Sequence, residues 1–273
     1  MAPATTRIES VGTFDHRSAL ETLAAHSIAG IDRVDVAAGR LERLVELDGR
    51  PHPITVTLDA AGATLVGPAE LARRVADWFD LAVDPTPADT LLGADRVFAR
   101  QVAERPGLRV TRFPDRFEAI CLTIVGQQVS LAAARLFCSR LVALLARPGV
   151  SGLVRFPTAS AIAAHPTDDL RAAIGLTGAR AATLQAVAGL FADAAPDTQP
   201  TLADLAAVKG IGPWTLGYLA IRADTDPDSF PAGDAALKRQ LRLLGADDPA
   251  RVARWAPHRS VAACRLWAMA LAG

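Results

Sequence analysis

The chain has 273 residues, of which 51% are hydrophobic and 21% are charged. This length allows one large domain or two modest ones, and the composition excludes a disordered chain. The 29 basic residues equal the 29 acidic residues in number, so the net charge gives no reason to expect nucleic acid, a membrane surface or an acidic partner. Any charged partner must therefore be met by a local patch.

Three widely spaced cysteines, Cys121, Cys138 and Cys264, lie on apolar stretches with helical periodicity. An odd number at this spacing argues against a disulfide framework and a four-cysteine metal site, and it suits a reducing compartment. The first ten residues lack the basic and apolar segments of a secretory signal. No run approaches the ~18 consecutive apolar residues of a membrane helix. We therefore expect a cytoplasmic protein that does not enter a membrane.

The first third of the chain has a mixed pattern of helix and strand. Leucine spacing predicts a helix over Ser18–Ala29, and strict alternation predicts a half-buried strand over Ile54–Leu58. A short strand is expected at Thr64–Val66, followed by an amphipathic helix from Pro68 to Phe79. These features predict a small antiparallel α/β domain over residues 1–90.

Prolines at 85, 87, 106 and 114 mark a connector, with one short helix expected around Leu91–Ala103. Nearly everything beyond Asp115 has helical periodicity. The predicted helices there include 117–125, one capped by Ser130, 159–164, 167–174, 179–192 and 202–208. The predicted fold class is therefore α+β, in which the small α/β domain precedes a mostly helical core over residues 91–273.

A tight turn, Lys209-Gly210-Ile211-Gly212, separates two predicted helices within the stretch 202–223. The two glycines let the backbone turn sharply while Ile211 anchors it in a core. Pro213 at the first helical position leaves neighbouring amides free to bind an anion. The pattern predicts a helix-hairpin-helix, which holds a DNA phosphate with backbone N–H groups and reads no bases. An ordinary helix connection capped by glycine is the alternative.

Asp234 ends a loop rich in glycine and proline, Phe230–Asp234, shortly after the hairpin. It stands at the N-cap of a predicted helix over Ala235–Leu244, and capping alone would explain it. Its position after a DNA-binding hairpin also makes it a catalytic candidate. The two roles agree, because amides at a helix N-terminus stabilise a carboxylate anion.

The hairpin followed by Asp234 resembles the signature of the helix-hairpin-helix DNA glycosylase superfamily. Three further stretches are similar to the AlkA-type 3-methyladenine-DNA glycosylase II family, namely Arg105–Leu136, Gly175–Ala188 and His258–Ala270. The portion from Phe14 onward resembles the extra N-terminal domain of that family. The resemblance covers almost the whole chain. It implies a monomer that excises alkylated purines from damaged double-stranded DNA in a cleft between two helical lobes, about 112–225 and 91–111 plus 226–273.

The resemblance also implies roles for single residues. Asp234 would be catalytic, and Trp214, Tyr218 and Trp267 would form the base pocket; core packing is the alternative for these three aromatic residues. The expected DNA contacts are Gly210, Ile211, Gly212, Thr215, Gln127, Gln128, Lys238 and Arg239. Lys238 and Arg239 belong to the segment Ala235–Arg265, which holds seven basic and two acidic residues, so DNA binding should weaken with salt. A solvated basic helix face is the alternative for that segment.

Several positions depart from relatives of the resembled superfamily. Members that also cut the strand carry a lysine where Trp214 stands here, so we expect no Schiff base and no lyase step. The four cluster-binding cysteines of the endonuclease III branch are missing, so no iron–sulfur cluster or other cofactor is expected, and no side-chain pattern predicts a metal site. Gln128 is polar where relatives can carry an apolar wedge, and Thr22 stands where an aromatic pocket residue can occur. A cation held by carbonyls of the hairpin backbone is left open.

Two other functions fit the same residues. One is a non-catalytic DNA-binding module that uses the hairpin alone, although such a clamp needs neither Asp234 nor the tryptophans. The other is a glycosylase for neutral deaminated or oxidised bases.

Overall fold

A computed structural model describes residues 4–195 and 198–272. Its N-terminal part contains an antiparallel sheet with the strand order β1-β5-β4-β3-β2. The strands are β1 (Thr5–Glu9), β2 (Asp32–Asp35), β3 (Arg40–Leu47), β4 (Arg50–Asp59) and β5 (Gly62–Val66). Asp48 and Gly49 join β3 to β4 in a two-residue turn, and both have positive φ angles, as a tight hairpin turn requires.

The rest of the described chain is mainly helical. The helices are α1 (His16–His26), α2 (Ala72–Trp78), α3 (Thr86–Gly93), α4 (Ala99–Glu104), α5 (Arg116–Val125), α6 (Leu131–Leu145), α7 (Ala159–Ala164), α8 (Thr167–Ile174), α9 (Gly178–Asp193), α10 (Leu202–Ala206), α11 (Pro213–Arg222), α12 (Ala235–Leu243), α13 (Pro249–Ala253) and α14 (Arg259–Ala272). Within the described ranges, none of them combines the length and the apolarity that crossing a bilayer requires.

The single helix predicted around Leu91–Ala103 is wrong, because α3 and α4 are separate helices. The break lies at Asp95, whose Oδ1 accepts a hydrogen bond from the Val97 amide at 3.0 Å. The other carboxylate oxygen accepts one from Trp255 Nε1, also at 3.0 Å. The bond from Trp255 holds the chain at this break, and Trp255 lies 160 residues further along the sequence.

Three hydrophobic cores organise the molecule. The first packs the sheet against α1 and α2, the second surrounds α5 and α9, and the third joins α3 to α12 and α14. Trp78 and Trp255 are 2% and 1% exposed, so both are core residues. Ile28 and Ile31, which follow α1, belong to the second core. The segment after α1 is thereby fixed against the helical part, and Ile28 also lines a cavity there. The domain boundary at residue 90 stays a prediction.

Candidate active site and DNA-binding hairpin

Asp234 is the N-cap of α12, as the sequence predicts. Its Oδ1 accepts a hydrogen bond from the Leu237 amide at 3.0 Å, and the residue is 8% exposed. The loop that precedes it is fixed to α11, because Ser229 Oγ donates to the Gly217 carbonyl at 3.0 Å. Gly217 has no side chain to keep the loop at a distance, and its nearest loop neighbour is Pro231. The carboxylate is therefore held in a defined position.

Two indoles also donate to this carboxylate. Trp214 Nε1 lies 3.0 Å from Asp234 Oδ2, and Trp267 Nε1 lies 3.2 Å from Oδ1. Together with the Leu237 amide they give the carboxylate three donors among the described residues. This arrangement suits an ionised carboxylate, which only accepts hydrogen bonds. Sequence reasoning assigned both tryptophans to the base pocket but missed these bonds, since no sequence pattern indicates which edge of an indole faces a neighbour.

Asp234 lies on the wall of a cavity of about 940 Å³. This volume is near the upper end of the ~300–1,000 Å³ found for small-molecule sites. Trp214, Tyr218 and Trp267 line the same cavity, and Thr22 of α1 contributes from the N-terminal part. The structure therefore brings together the residues expected for catalysis and for the base pocket. Their roles stay predictions.

The three aromatic residues form a continuous wall. The rings of Trp214 and Tyr218 are stacked, with centroids 5.7 Å apart and planes inclined by 28°. Tyr218 meets Trp267 edge to face at 5.4 Å. All three are half-buried. Half-buried rings on a cavity wall provide a surface on which a planar base can stack.

Sequence reasoning missed Arg222, the last residue of α11. Arg222 lines the cavity, is 5% exposed and lies over the ring of Phe113 at 5.5 Å. Its spacing was the available signal: Trp214, Tyr218 and Arg222 follow one another at intervals of four residues, which places them on one helix face.

Burial keeps two titratable groups on the cavity wall neutral. It lowers the pKa of His26 to about 4, with the charge of Arg222 acting in the same direction. His26 Nδ1 lies 2.8 Å from the Thr22 carbonyl, which places the N–H on Nδ1 and leaves Nε2 as an acceptor. Burial also raises the pKa of the Tyr218 phenol, while the positive charge of Arg222 acts in the opposite direction.

The hairpin turn requires glycine at position 210. Gly210 has a φ of +97°, and a Cβ at this position would lie 2.2 Å from Thr183 Oγ1. The same hydroxyl donates to the Lys209 carbonyl at 2.8 Å and so fixes the turn against α9. Ile211 is 8% exposed within the second core. The turn is therefore anchored as the sequence predicts.

The hairpin offers backbone donors on its outer side. Gly212 is the N-cap of α11 without a side-chain hydrogen bond, and the amides of Gly210 and Gly212 have no acceptor among the described residues. Such amides at a helix N-terminus can bind a phosphate. The Ile211 amide donates to the Val208 carbonyl, and the Thr215 side chain is 2% exposed, so these two groups face the protein. The expected DNA contacts of the two residues stay predictions.

The two glutamines between α5 and α6 differ in their surroundings. Gln127 Nε2 donates to the Gly210 carbonyl at 3.1 Å and to Thr215 Oγ1 at 2.9 Å, so this side chain braces the hairpin. The expected contact of Gln127 with DNA stays a prediction. Gln128 is exposed at the cavity, with a φ of +56° that a non-glycine residue seldom adopts.

Lys238 and Arg239 are exposed in the first half of α12, directly after Asp234. Arg239 also lines the cavity. Neither forms an ion pair within residues 4–195 and 198–272, in contrast to many other arginines of the chain. These two cations are thus available to an external anion such as a DNA phosphate.

The carbonyls of Lys209 and Gly210 accept hydrogen bonds from Thr183 and Gln127. Because a carbonyl oxygen has two lone pairs, each keeps one for a further partner. The hairpin backbone therefore keeps two carbonyl oxygen atoms that can accept a further partner, and a cation at this position stays an open question.

Two protein-family models and several known proteins match this chain. Residues 121–254 match the family described as HhH-GPD superfamily base excision DNA repair protein, and residues 7–115 match the AlkA N-terminal domain. A Mycobacterium tuberculosis protein named "Probable bifunctional transcriptional activator/DNA repair enzyme AlkA" is 32% identical over 280 residues, covering 94% of this chain and 54% of that protein. The chain thus spans about half the length of that curated relative.

A second relative matches this chain over nearly the full length of both proteins. The Escherichia coli protein named DNA-3-methyladenine glycosylase 2 is 29% identical over 272 residues, which is 93% of both chains. Among solved structures, the 3-methyladenine DNA-glycosylase from Archaeoglobus fulgidus has a TM-score of 0.78 at 19% identity, covering 96% of this chain and 97% of that one. The predicted α+β fold class, a small antiparallel domain before a helical core, is confirmed. The chain belongs to the HhH-GPD superfamily of base excision DNA repair proteins, in its AlkA-type branch.

Proposed function

We propose that this protein is a monofunctional DNA glycosylase that hydrolyses the N-glycosidic bond of alkylated purines of the 3-methyladenine type in duplex DNA. One observation carries the proposal. The Asp234 carboxylate, held by two indole N–H groups, lies on an aromatic-walled cavity next to a hairpin with free backbone amides. The name of the Escherichia coli relative agrees with this substrate class.

Binding starts at the DNA backbone. The amides of Gly210 and Gly212 hold a phosphate, and Lys238 and Arg239 neutralise others. The damaged nucleotide must leave the stack to be reached, which costs a few kcal/mol and least for a damaged base. It enters the cavity, while Gln128 at the cavity edge fills the gap that the base leaves behind.

The aromatic wall then receives the base. A purine alkylated at N3 or N7 is cationic and electron-poor, so stacking on Trp214 and Tyr218 adds a cation–π contribution of about 0.5–2 kcal/mol. An undamaged purine is neutral and gains less. The wall therefore favours the alkylated base over the normal one.

Asp234 acts on the sugar. The glycosidic bond breaks with its electron pair passing to the base nitrogen, which leaves a neutral free base and a sugar oxocarbenium ion. Oδ2 accepts one hydrogen bond, from Trp214, and thus keeps a lone pair for the cation and for a water molecule. As the water oxygen bonds to C1′, the carboxylate takes its proton, and the products are the free base and abasic DNA.

The lysines of the chain support a reaction without strand cleavage. The sequence contains only two, Lys209 and Lys238, and neither lines the cavity. A lyase step needs an amine that forms a Schiff base with the sugar. Trp214 occupies the position that would supply it.

Incubation with methylated duplex DNA tests the proposal. We expect free 3-methyladenine in solution and an abasic strand that stays intact until alkali is added. Strand cleavage together with a borohydride-trapped covalent complex would contradict the monofunctional assignment. DNA binding without release of any base would instead indicate the non-catalytic clamp.

A further inference from the structure

Ser260, the second residue of α14, is 0% exposed and contacts the loop between α11 and α12, residues 223–234. We call this segment the catalytic loop. The Ser260 hydroxyl donates to the Asp226 carbonyl at 2.7 Å and accepts from the Ser229 amide at 3.0 Å. The Ser229 carbonyl is a more distant acceptor, at 3.2 Å. The Ser260 amide donates to the Pro227 carbonyl at 3.1 Å. One buried residue of α14 thus holds three residues of the catalytic loop.

The catalytic loop is attached to α11 at the same place. Ser229, whose amide donates to Ser260, uses its own hydroxyl to donate to the Gly217 carbonyl of α11 at 3.0 Å. Gly217 follows Trp214 by three residues, so this contact lies about one helical turn from the indole. The first part of the loop is therefore held between α11 and α14.

The same two helices contact the loop again at its end. Trp214 of α11 donates to Asp234 Oδ2, and Trp267 of α14 donates to Oδ1. Trp267 follows Ser260 by seven residues, which is about two turns of α14. Because a helix transmits a displacement as a rigid element, the contact at Ser260 determines where the indole of Trp267 meets the carboxylate.

The bond from Trp267 is the more sensitive of the two indole bonds. Its length of 3.2 Å lies at the long end of the range for N–H···O hydrogen bonds, about 2.7–3.2 Å, whereas the bond from Trp214 measures 3.0 Å. A small displacement of α14 relative to the loop would therefore break it. A misplacement of about 1 Å near a reacting centre can slow a reaction about a hundredfold.

An ion pair between Arg259 and Asp228 also joins α14 to the catalytic loop, at 2.7 Å. The two side chains are 35% and 27% exposed, so water and salt weaken their attraction. The hydrogen bonds of Ser260 are buried and keep their strength. The position of the loop on α14 thus depends mainly on Ser260.

We propose that Ser260 is a positioning residue for base release, because it holds the catalytic loop on α14 so that the Trp267 N–H reaches the Asp234 carboxylate. This inference rests on the proposed function, since it requires Asp234 to act on the sugar. Ser260 touches neither DNA nor the base in this proposal. Its effect passes through Trp267.

A double-mutant cycle of Ser260→Ala and Trp267→Phe tests this coupling by the single-turnover release of 3-methyladenine from methylated duplex DNA. Trp267→Phe keeps a ring and removes the N–H group. We expect Ser260→Ala alone to slow release about tenfold, the lower end of the effect of losing a hydrogen bond to a charged group. In the Trp267→Phe background the same change should slow release less than about twofold, because the bond is already absent. DNA affinity, measured by fluorescence anisotropy, should stay unchanged.

Thr158→Ala is the control for a loss of stability. Thr158 Oγ1 accepts from the Ala161 amide at 3.1 Å and caps α7, away from the aromatic-walled cavity. This variant should lower the melting temperature and release the base at the wild-type rate. Ser260→Cys keeps a weak donor of similar shape, so it should slow release less than Ser260→Ala. It replaces Ser260→Ala in the cycle if that variant does not fold.

Three results would overturn the role of Ser260. They are a wild-type release rate in a folded Ser260 variant, equal slowing with and without the Trp267 N–H group, and equal slowing by Thr158→Ala. A wild-type protein that releases no base would instead overturn the proposed function itself.

Discussion

The indole of Trp214 and the carboxylate of Asp234 are joined by a hydrogen bond of 3.0 Å between Nε1 and Oδ2. The ring proposed to stack the damaged base is thereby also a ring that orients the proposed catalytic anion. Trp267 does the same at the other carboxylate oxygen. The position of the base wall and the position of the anion are therefore mechanically linked.

Trp214→Phe separates these two roles, because it keeps an aromatic ring and removes the N–H group. A hydrogen bond to a charged group contributes about 1.5–3 kcal/mol, which corresponds to roughly a tenfold to hundredfold effect on rate. We expect base release in a single turnover to slow by this factor, while DNA binding measured by fluorescence anisotropy changes little.

Trp255→Phe is the matched control. Trp255 Nε1 donates to Asp95 Oδ2 at the same distance, 3.0 Å, but Trp255 belongs to the third core and neither residue lines the cavity. This variant should lower the melting temperature and leave the release rate of the folded protein unchanged. Equal slowing by both variants would show that the bond to Asp234 has no special part in the chemistry.

Gly210→Ala should damage the hairpin. The new Cβ would meet Thr183 Oγ1 at 2.2 Å, and the φ of +97° strains any L-residue. We expect a loss of about 2 kcal/mol or more in the free energy of unfolding, together with weaker DNA binding. At Gly212 a Cβ would meet nothing within 4 Å, so Gly212→Ala should unfold close to the wild-type temperature. A similar melting temperature for the two variants would contradict this account of the turn.

Lys238 and Arg239 can be tested through salt. Each phosphate contact that is lost should reduce the slope of log affinity against log salt by roughly 0.9. The double variant Lys238→Ala/Arg239→Ala should therefore show a shallower slope by about 1–2. A control with the same charge change is Arg73→Ala/Arg100→Ala, whose side chains are 93% and 88% exposed and lie outside the cavity. Equal slopes in the two double variants would exclude a specific contact by α12.

Stability should depend on pH through Glu118. Arg43 is shared by Glu118 and Asp32, and burial raises the pKa of Glu118 to about 7 from an ordinary value of 4.5. Between these values the folded protein binds more protons than the unfolded chain, so the free energy of unfolding falls as pH rises from about 4.5 to about 7.

Glu118→Gln removes this titration, so its free energy of unfolding should change less between pH about 4.5 and about 7. Urea unfolding across that pH range measures this. Glu46→Gln serves as the control, because Glu46 is 43% exposed in its pair with Arg147 and should keep the wild-type pH dependence. If the free energy of unfolding of Glu118→Gln falls with pH as steeply as that of the wild type, Glu118 does not titrate in this pH range.

Local patterns were enough to predict much of the fold. The N-caps Ser130 and Asp234, the helices α7 and α8, and the turn at Gly210 follow from capping and glycine geometry within a few residues. Four cavity residues, Asp234, Trp214, Tyr218 and Trp267, could also be named in advance, because the hairpin and the aspartate that follows it resemble a family signature.

Contacts between distant residues could not be read from the sequence. Trp267 donates a hydrogen bond to Asp234, which is 33 residues away in the sequence, and Gln127 donates one to Gly210, which is 83 residues away. Whether an indole presents its face or its N–H edge depends on how the helices pack. The same holds for Arg222, whose burial on the cavity wall becomes visible only when the other cavity walls are in place.

The most direct measurement of the central claim is the single-turnover rate of 3-methyladenine release by Asp234→Asn, with Asp248→Asn beside it. Asp248 caps α13 in the same way but is exposed and does not line the cavity. Loss of the anion should slow release about a hundredfold or more, with DNA affinity retained, whereas Asp248→Asn should release the base at the wild-type rate. Release by Asp234→Asn at the wild-type rate would contradict the account.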